Sequence, residues 1–285
     1  AGYGASVCTR VRAERVDGRG ATLTDQLTGE SFDVGARMVV NATGVWSGGI
    51  DDALAVHPSR GTHLVVDAAR LGFPDAALMT PLGTSVSRFV FVIPAQLGRV
   101  YVGLTDVAAP GPIPDVPMPD ESEIDFLLDA VNPALARPLD RSDIIGTFAG
   151  LRPLVDTRGG GRDSEALADV SRQHHVGVRG DGLVNVLGGK LTTYRRMAQD
   201  AVDAALATTD LTAGDCVTAT TPLVGALRNS REQGLPASLV QRFGGEAPAV
   251  VDAAVLPRPL DPIVPGIDLA GTVASSDDAS FAVGD

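Results

Sequence analysis

The sequence predicts a mixed α/β (α+β) protein in which an α/β sheet with a flanking helix, an antiparallel sheet and a small helical unit follow one another. Three observations predict it. Two apolar, β-branched runs, Ala36-Arg37-Met38-Val39-Val40-Asn41 and Leu183-Val184-Asn185-Val186-Leu187, each stop at small residues and glycine, as buried strands of an α/β sheet do at the carboxyl edge. After the second run, Met197, Ala198, Ala201, Val202 and Ala205 recur at helical spacing. Between the two lie alternating stretches broken by proline and glycine, the pattern of an antiparallel sheet.

Taken in order, residues 5–43 read as a β-rich unit, with strands at 5–12, 21–24 and 31–34 before the run at 36–41. Residues 62–66, 87–94 and 99–105 are three further strands. A proline-rich connection, 110–119, leads to Asp120-Glu121-Ser122-Glu123, whose acids suit a helix start; Ile124, Leu127, Leu128 and Val131 form the apolar stripe and Pro133 closes the helix. Strands at 144–154 and 175–178 precede the run at 183–187. After about residue 211 the texture changes to short amphipathic pieces, 235–242 and 246–254, and then to the proline-rich segment 257–265. The polar stretch 274–280 has no helical pattern and is expected to lack order.

The chain has 285 residues, 44% of them hydrophobic, which suffices for a core and sets a soft expectation of about two domains. Its net charge of −12 argues against a surface that binds nucleic acid, so any anion site is local. Cys8 and Cys216 lack metal-ligand spacing and are too few for a disulfide framework, and a reduced, cytoplasmic compartment is the default. The strongest apolar run, Phe89-Val90-Phe91-Val92-Ile93, stops at Pro94 and is too short to span a membrane. Without an initiator Met or a signal-peptide profile, and opening on an interior-type strand, the chain is expected to be a piece of a longer protein.

Lys190 is the only lysine in the chain, and it stands in a strand-to-helix turn, Gly188-Gly189-Lys190-Leu191-Thr192-Thr193. Two glycines admit a close ligand or backbone, Thr192 or Thr193 can cap the helix, and the first helical N–H groups favour negative charge. The plain alternative is an ordinary glycine connection with a solvated lysine. The same choice applies to Ala42-Thr43-Gly44: a cofactor contact or a simple strand terminator. An arginine-rich window, with Arg152, Arg158, Arg162, Arg172, Arg179, Arg195 and Arg196 around Lys190, points to a small anionic substrate, since guanidinium groups bind phosphate or carboxylate in pairs of hydrogen bonds. Arg158, Arg162 and Arg179 read as solvated; Arg152, before Pro153 at a strand end, and Lys190 are better placed to converge. A P-loop would need glycine at 184 and Ser or Thr at 191, where Val184 and Leu191 stand. His174-His175 lacks a partner at a metal-binding offset, no metal site is expected, and neither a Gly-x-Ser-x-Gly turn nor a Gly-x-Gly-x-x-Gly fingerprint occurs.

Asn41-Ala42-Thr43-Gly44 with Trp46, Gly61-Thr62-His63, Gly103-Leu104-Thr105-Asp106, Gly150-Leu151-Arg152-Pro153-Leu154, Ser171-Arg172 and Gly188-Gly189-Lys190-Leu191-Thr192-Thr193-Tyr194-Arg195 together resemble FAD-dependent glycerol-3-phosphate dehydrogenase, in order from about residue 5 to 254. The resemblance implies a partial FAD-binding, Rossmann-like domain, an antiparallel-sheet substrate domain and a truncated carboxyl-terminal helical domain. The corresponding segments are 1–60 and 155–210 for the FAD domain, 61–154 for the substrate domain and 211–285 for the helical unit. It implies oxidation of sn-glycerol 3-phosphate to dihydroxyacetone phosphate, with electrons passed to membrane quinone, hence a peripheral position on the inner face of the membrane; a homodimer is compatible with it. Carried over by position, Ala42, Thr43, Gly44, Gly188, Gly189, Lys190, Leu191 and Thr192 face the flavin. Arg152, Arg172 and Lys190 line the substrate site, Arg172 holding phosphate while Arg152 and Lys190 act at the C2 oxygen. His63 and His174 are candidate proton acceptors, with a structural role the stronger expectation for each. Leu104 stands where the family has threonine, and the dinucleotide fingerprint that begins the family is not in these residues, so the chain alone is expected to bind FAD poorly and to turn over little. Two other readings stay open: a glycerol-3-phosphate oxidase that uses oxygen, and a non-catalytic anion-binding fragment.

Overall fold

The computed structural model describes residues 4–83, 88–155, 174–226 and 234–253. The chain divides into two compact units, Ser6–Ala219 and one made of Thr220–Asp285 with Ala1–Ala5. The first begins with β1 (Val11–Asp17), β2 (Gly20–Asp25) and β3 (Ser31–Gly35), an antiparallel sheet in that order. The strand expected at 5–12 thus lies later in the chain. The tight turn that pairs Asp17 with Gly20 sets the register as far as Arg15 and Thr22, and a bulge between Ala13 and Arg15 shifts it by one residue so that Val11 meets Asp25.

The run at 36–41, expected as a buried strand, is ordered as sheet only over β4 (Val40–Asn41), an edge strand whose Val40 is exposed. A 3-10 turn (Gly44–Trp46) and α1 (Ser47–Ile50) follow. Next come β5 (Val56–Asp67), β6 (Leu78–Pro81), β7 (Phe89–Ala95), β8 (Arg99–Gly103) and β9 (Val107–Ala108). Then α2 (Glu121–Val131) leads to β10 (Ile144–Val155). Six of these strands form one antiparallel sheet in the order β10-β5-β8-β7-β6, with β9 also paired to β5. Full-length pairing with β10 extends β5 back to Val56, well before the expected start at residue 62.

Helix α2 covers one face of that sheet. Asp120 accepts from Ser122 N at 3.0 Å and Glu123 closes back on Asp120 N at 3.0 Å, a capping box with acids in the first turn. Ile124, Leu127, Leu128 and Val131, spaced for one helical stripe, pack with Leu64, Val66, Val90, Val92, Val100 and Val102 of the strands into the core. Strand residues alternate faces, so Ser59, Gly61 and His63, with Gly103, Tyr101, Phe148, Gly150 and Arg152 beside them in register, occupy the opposite face.

The third sheet, β11-β12-β4, is formed by β11 (His174–Val178) and β12 (Val184–Gly188) with β4, and α3 (Tyr194–Ala207) packs against β11 and β12. Val184, Asn185, Val186 and Leu187 are all buried, as a strand covered on both faces requires. Pairing of β12 with β4 is parallel. In the second unit α4 (Ala237–Phe243) and α5 (Ala247–Ala253) match the two expected amphipathic pieces, joined through Gly244 at φ 53°. The segments 257–265 and 274–280 lie outside the described residues. Among the described residues no helix is long and apolar enough to cross a membrane.

Candidate active site

Parallel pairing of Val40 with Val184 and of Asn41 with Asn185 makes β4 and β12 run to the same edge of their sheet. The residues that follow, Ala42-Thr43-Gly44 and Gly188-Gly189-Lys190-Leu191-Thr192, are therefore neighbours there although far apart in sequence. Gly188 and Gly189 both have left-handed backbones, φ 67° and 78°. A side chain at Gly189 would also overlap the Met197 sulfur and reach the His174 Cβ at 3.0 Å. Gly44, at φ 61°, instead faces open space. Lys190 is exposed; its N–H donates to Thr193 Oγ1 at 3.2 Å, and that hydroxyl donates to the Lys190 carbonyl at 2.9 Å, so Thr193 rather than Thr192 closes the turn. A 3-10 turn (Leu191–Thr193) runs into α3, and the N–H groups of Leu191 and Thr192 have no carbonyl of a preceding turn to bond. Leu191 is 90% exposed, and Trp46 and Tyr194 are half exposed.

Behind the edge lies a buried polar ladder that sequence reasoning missed. Asn41, 3% exposed, donates from Nδ2 to Asn185 Oδ1 at 2.9 Å and accepts from Thr43 Oγ1 at 2.7 Å. Asn185 donates onward to Asp51 Oδ2 at 2.7 Å, and the Arg179 guanidinium stands 4.0 Å from Asp51. Arg179 also pairs with Asp181 at 2.7 Å, which holds the Asp181 carboxyl far below the usual range. The expectation that Arg179 is solvated is thereby corrected. An asparagine inside each of two apolar runs was the available signal, since a buried carboxamide needs a partner.

Arg152 stands on β10 opposite Ser59. Its guanidinium pairs with Asp106 at 3.2 Å and donates to the Thr105 carbonyl at 3.1 Å. Gly61 leaves the space it needs, because any side chain there would overlap the guanidinium. Gly103 does the same for the His63 ring, which stacks on Phe148 at 4.6 Å between centroids. Burial, and then the charge of Arg152, lower the His63 pKa, and its Nδ1 is buried with no hydrogen-bond partner among the described residues. His174 bonds Asp200 of α3 at 2.7 Å, so it does have an adjacent carboxylate, brought by the fold and invisible at local spacing. Asp200 takes Arg196 as well, at 2.9 Å, and its carboxyl is lowered first by the His174 bond. Arg195 is bonded to Gln199 and Thr218.

Arg152 and His63 thus share one sheet face, while Lys190, the glycine turn and Ala42-Thr43-Gly44 share the edge of another sheet. The two sheets meet where β10 packs against β12 and against the 3-10 turn Gly44–Trp46. Arg158, Arg162 and Arg172 lie outside the described residues. Cys8 and Cys216 are both free and exposed.

The family model for FAD dependent oxidoreductases matches residues 1–195. Glycerol-3-phosphate dehydrogenase 1 of Mycobacterium tuberculosis (strain ATCC 25618 / H37Rv) is 50% identical over 272 residues, 94% of this chain and 52% of that protein. The mitochondrial glycerol-3-phosphate dehydrogenase of Homo sapiens is 36% identical over 203 residues, 68% of this chain and 27% of its own. The X-ray structure of glycerol-3-phosphate dehydrogenase from Bacillus halodurans, complexed with FAD, superposes with a TM-score of 0.66 at 27% identity, covering 85% of this chain and 51% of that one. The chain spans about half the length of the mycobacterial relatives it matches.

Proposed function

Because the chain belongs to the FAD-dependent oxidoreductase family, we propose that its parent enzyme oxidises sn-glycerol 3-phosphate at C2 to dihydroxyacetone phosphate and passes the electrons to a membrane quinone, working at the inner face of the membrane. The observation that carries the reading is the shared edge of β4 and β12, where two glycine turns with left-handed backbones stand side by side. Those residues fit an isoalloxazine. Gly44 opens to free space, the Leu191 and Thr192 N–H groups are available to a flavin carbonyl, and the exposed Trp46, Leu191 and Tyr194 side chains offer apolar cover. We assign Ala42, Thr43, Gly44, Gly188, Gly189, Lys190, Leu191 and Thr192 to the cofactor.

FAD, when bound, accepts the hydrogen and electron pair that leave C2. The protein's own part is charge and position. Lys190 and Arg152 bring positive charge to the C2 oxygen as it becomes a carbonyl, and Arg172 takes the phosphate. His63, held neutral by burial and by Arg152, is the group proposed to receive the hydroxyl proton. These 285 residues hold no Gly-x-Gly-x-x-Gly fingerprint, and by themselves they are proposed to hold FAD weakly.

The test is anaerobic addition of glycerol 3-phosphate to the FAD-loaded full-length parent enzyme. Bleaching of the flavin absorbance, followed by reduction of a soluble quinone, is the expected outcome; no bleaching ends the reading, and peroxide formation in air with an inert quinone makes the enzyme an oxidase. Lys190→Ala is expected to lower kcat roughly 100-fold, and stopped-flow bleaching measures it.

A further inference from the structure

Glu123 is a buried acid, 4% exposed, and a carboxylate so placed must be paired. Its Oε2 accepts from Arg60 Nε at 2.6 Å and from Asp120 N at 3.0 Å, the second bond completing the helix cap. Capping does not account for the other oxygen. Oε1 accepts from Thr105 Oγ1 at 2.6 Å, and the same hydroxyl accepts from Thr62 N at 2.8 Å, so Thr105, itself 3% exposed, is fixed from two sides.

Thr105 then reaches the far side of the sheet. Arg60 and Thr62 alternate along β5 with Ser59, Gly61 and His63, so Glu123 stands on the helix side and Arg152 on the opposite one. The Thr105 carbonyl accepts from Arg152 Nη2 at 3.1 Å, and the next residue, Asp106, takes Nη1 at 3.2 Å and also the Ser59 hydroxyl. Thr105 and Asp106, which both bond the guanidinium, are therefore anchored through Thr105 to a carboxylate on the helix. Gly61, which leaves the guanidinium its space, does nothing to hold it there.

We propose that Glu123 and Thr105 are positioning residues that link helix α2 through the sheet to Arg152 and fix its guanidinium for the substrate, an inference that rests on the reading of Arg152 as a substrate ligand. The guanidinium is a planar fork, and its value at a C2 oxygen depends on where the fork points. In the FAD-loaded protein Thr105→Val is expected to lower kcat/KM for glycerol 3-phosphate roughly 10- to 100-fold, chiefly through kcat, and Thr105→Ser, which keeps the hydroxyl, to restore it. NMR of the His63 imidazole gives a readout apart from turnover: its titration moves up in Thr105→Val, because the Arg152 charge is no longer held beside it. Against an Arg152→Lys background, Thr105→Val is expected to add less than about threefold, the mark of two residues acting through one group. Where Thr105→Val does not fold, Glu123→Gln, of equal volume, carries the same expectations.

Folded Thr105→Val and Glu123→Gln proteins with kcat/KM within about twofold of wild type and an unmoved His63 titration, alongside an impaired Arg152→Lys, would overturn this proposal alone. Wild-type kinetics in Arg152→Lys would remove Arg152 from the site and the link with it.

Discussion

His63 sits against Phe148 with its ring over Gly103, and its environment favours the uncharged form, first through burial and then through Arg152. As pH falls past 6.5 the unfolded chain takes up a proton before the folded one. The stability that neutral His63 contributes is therefore complete above pH 6.5 and is lost as pH descends towards its lower, folded pKa. His63→Gln should flatten that decline, measured as urea midpoints at roughly pH 5.5 and 7.5. Glycines at the sheet edge divide by what surrounds them. Gly189→Ala meets both a left-handed backbone and Met197 and should cost about 2 kcal/mol or more, visible as a lower Tm. Gly44→Ala meets only the backbone term, about 1 kcal/mol, while its methyl would enter the space assigned to the flavin. It should weaken FAD affinity far more than stability, a contrast that titration and calorimetry can read separately.

At the scale of the element, α2 is held by its stripe. Leu127 has no exposed surface, and Leu127→Ala should destabilise by about 3 kcal/mol, checked by chemical denaturation. That helix was readable in the sequence because acids, an apolar period and Pro133 agree with one another. The run 183–187 was readable as a covered strand for the same reason of local consistency, and so were the Gly188-Gly189-Lys190 turn and the helix after it. What escaped depended on partners. The strand expected at 5–12 alternates as well as any, yet the hairpin at Asp17-Gly18-Arg19-Gly20 dictates β1. Strands β6 and β9 are four and two residues long and exist only as ladders on β7 and β5. The asparagine ladder, the His174–Asp200 pair and the Glu123–Thr105 link each join residues whose proximity no local spacing encodes. The candidate site was legible as a set of residue types around Lys190; which arginines are occupied by carboxylates, Arg179 and Arg196 among them, was not.

For the molecule as a whole, a charge of −12 means that attraction for the proposed phosphorylated substrate cannot come from the surface at large and must come from a few cations set close together. All of the described site residues, and the core formed by α2 and the six-stranded sheet, belong to the unit Ser6–Ala219. A chain ending at Ala219 should accordingly retain one cooperative thermal transition and the depressed His63 titration, followed by circular dichroism and NMR. The two-rung joint between β4 and β12 spans 144 positions from Asn41 to Asn185. Among the described residues β4 has no other sheet neighbour. During synthesis, then, Ala42-Thr43-Gly44 leaves the ribosome long before the strand that gives it a place, and the berth proposed for the flavin cannot be complete until translation has passed Gly188.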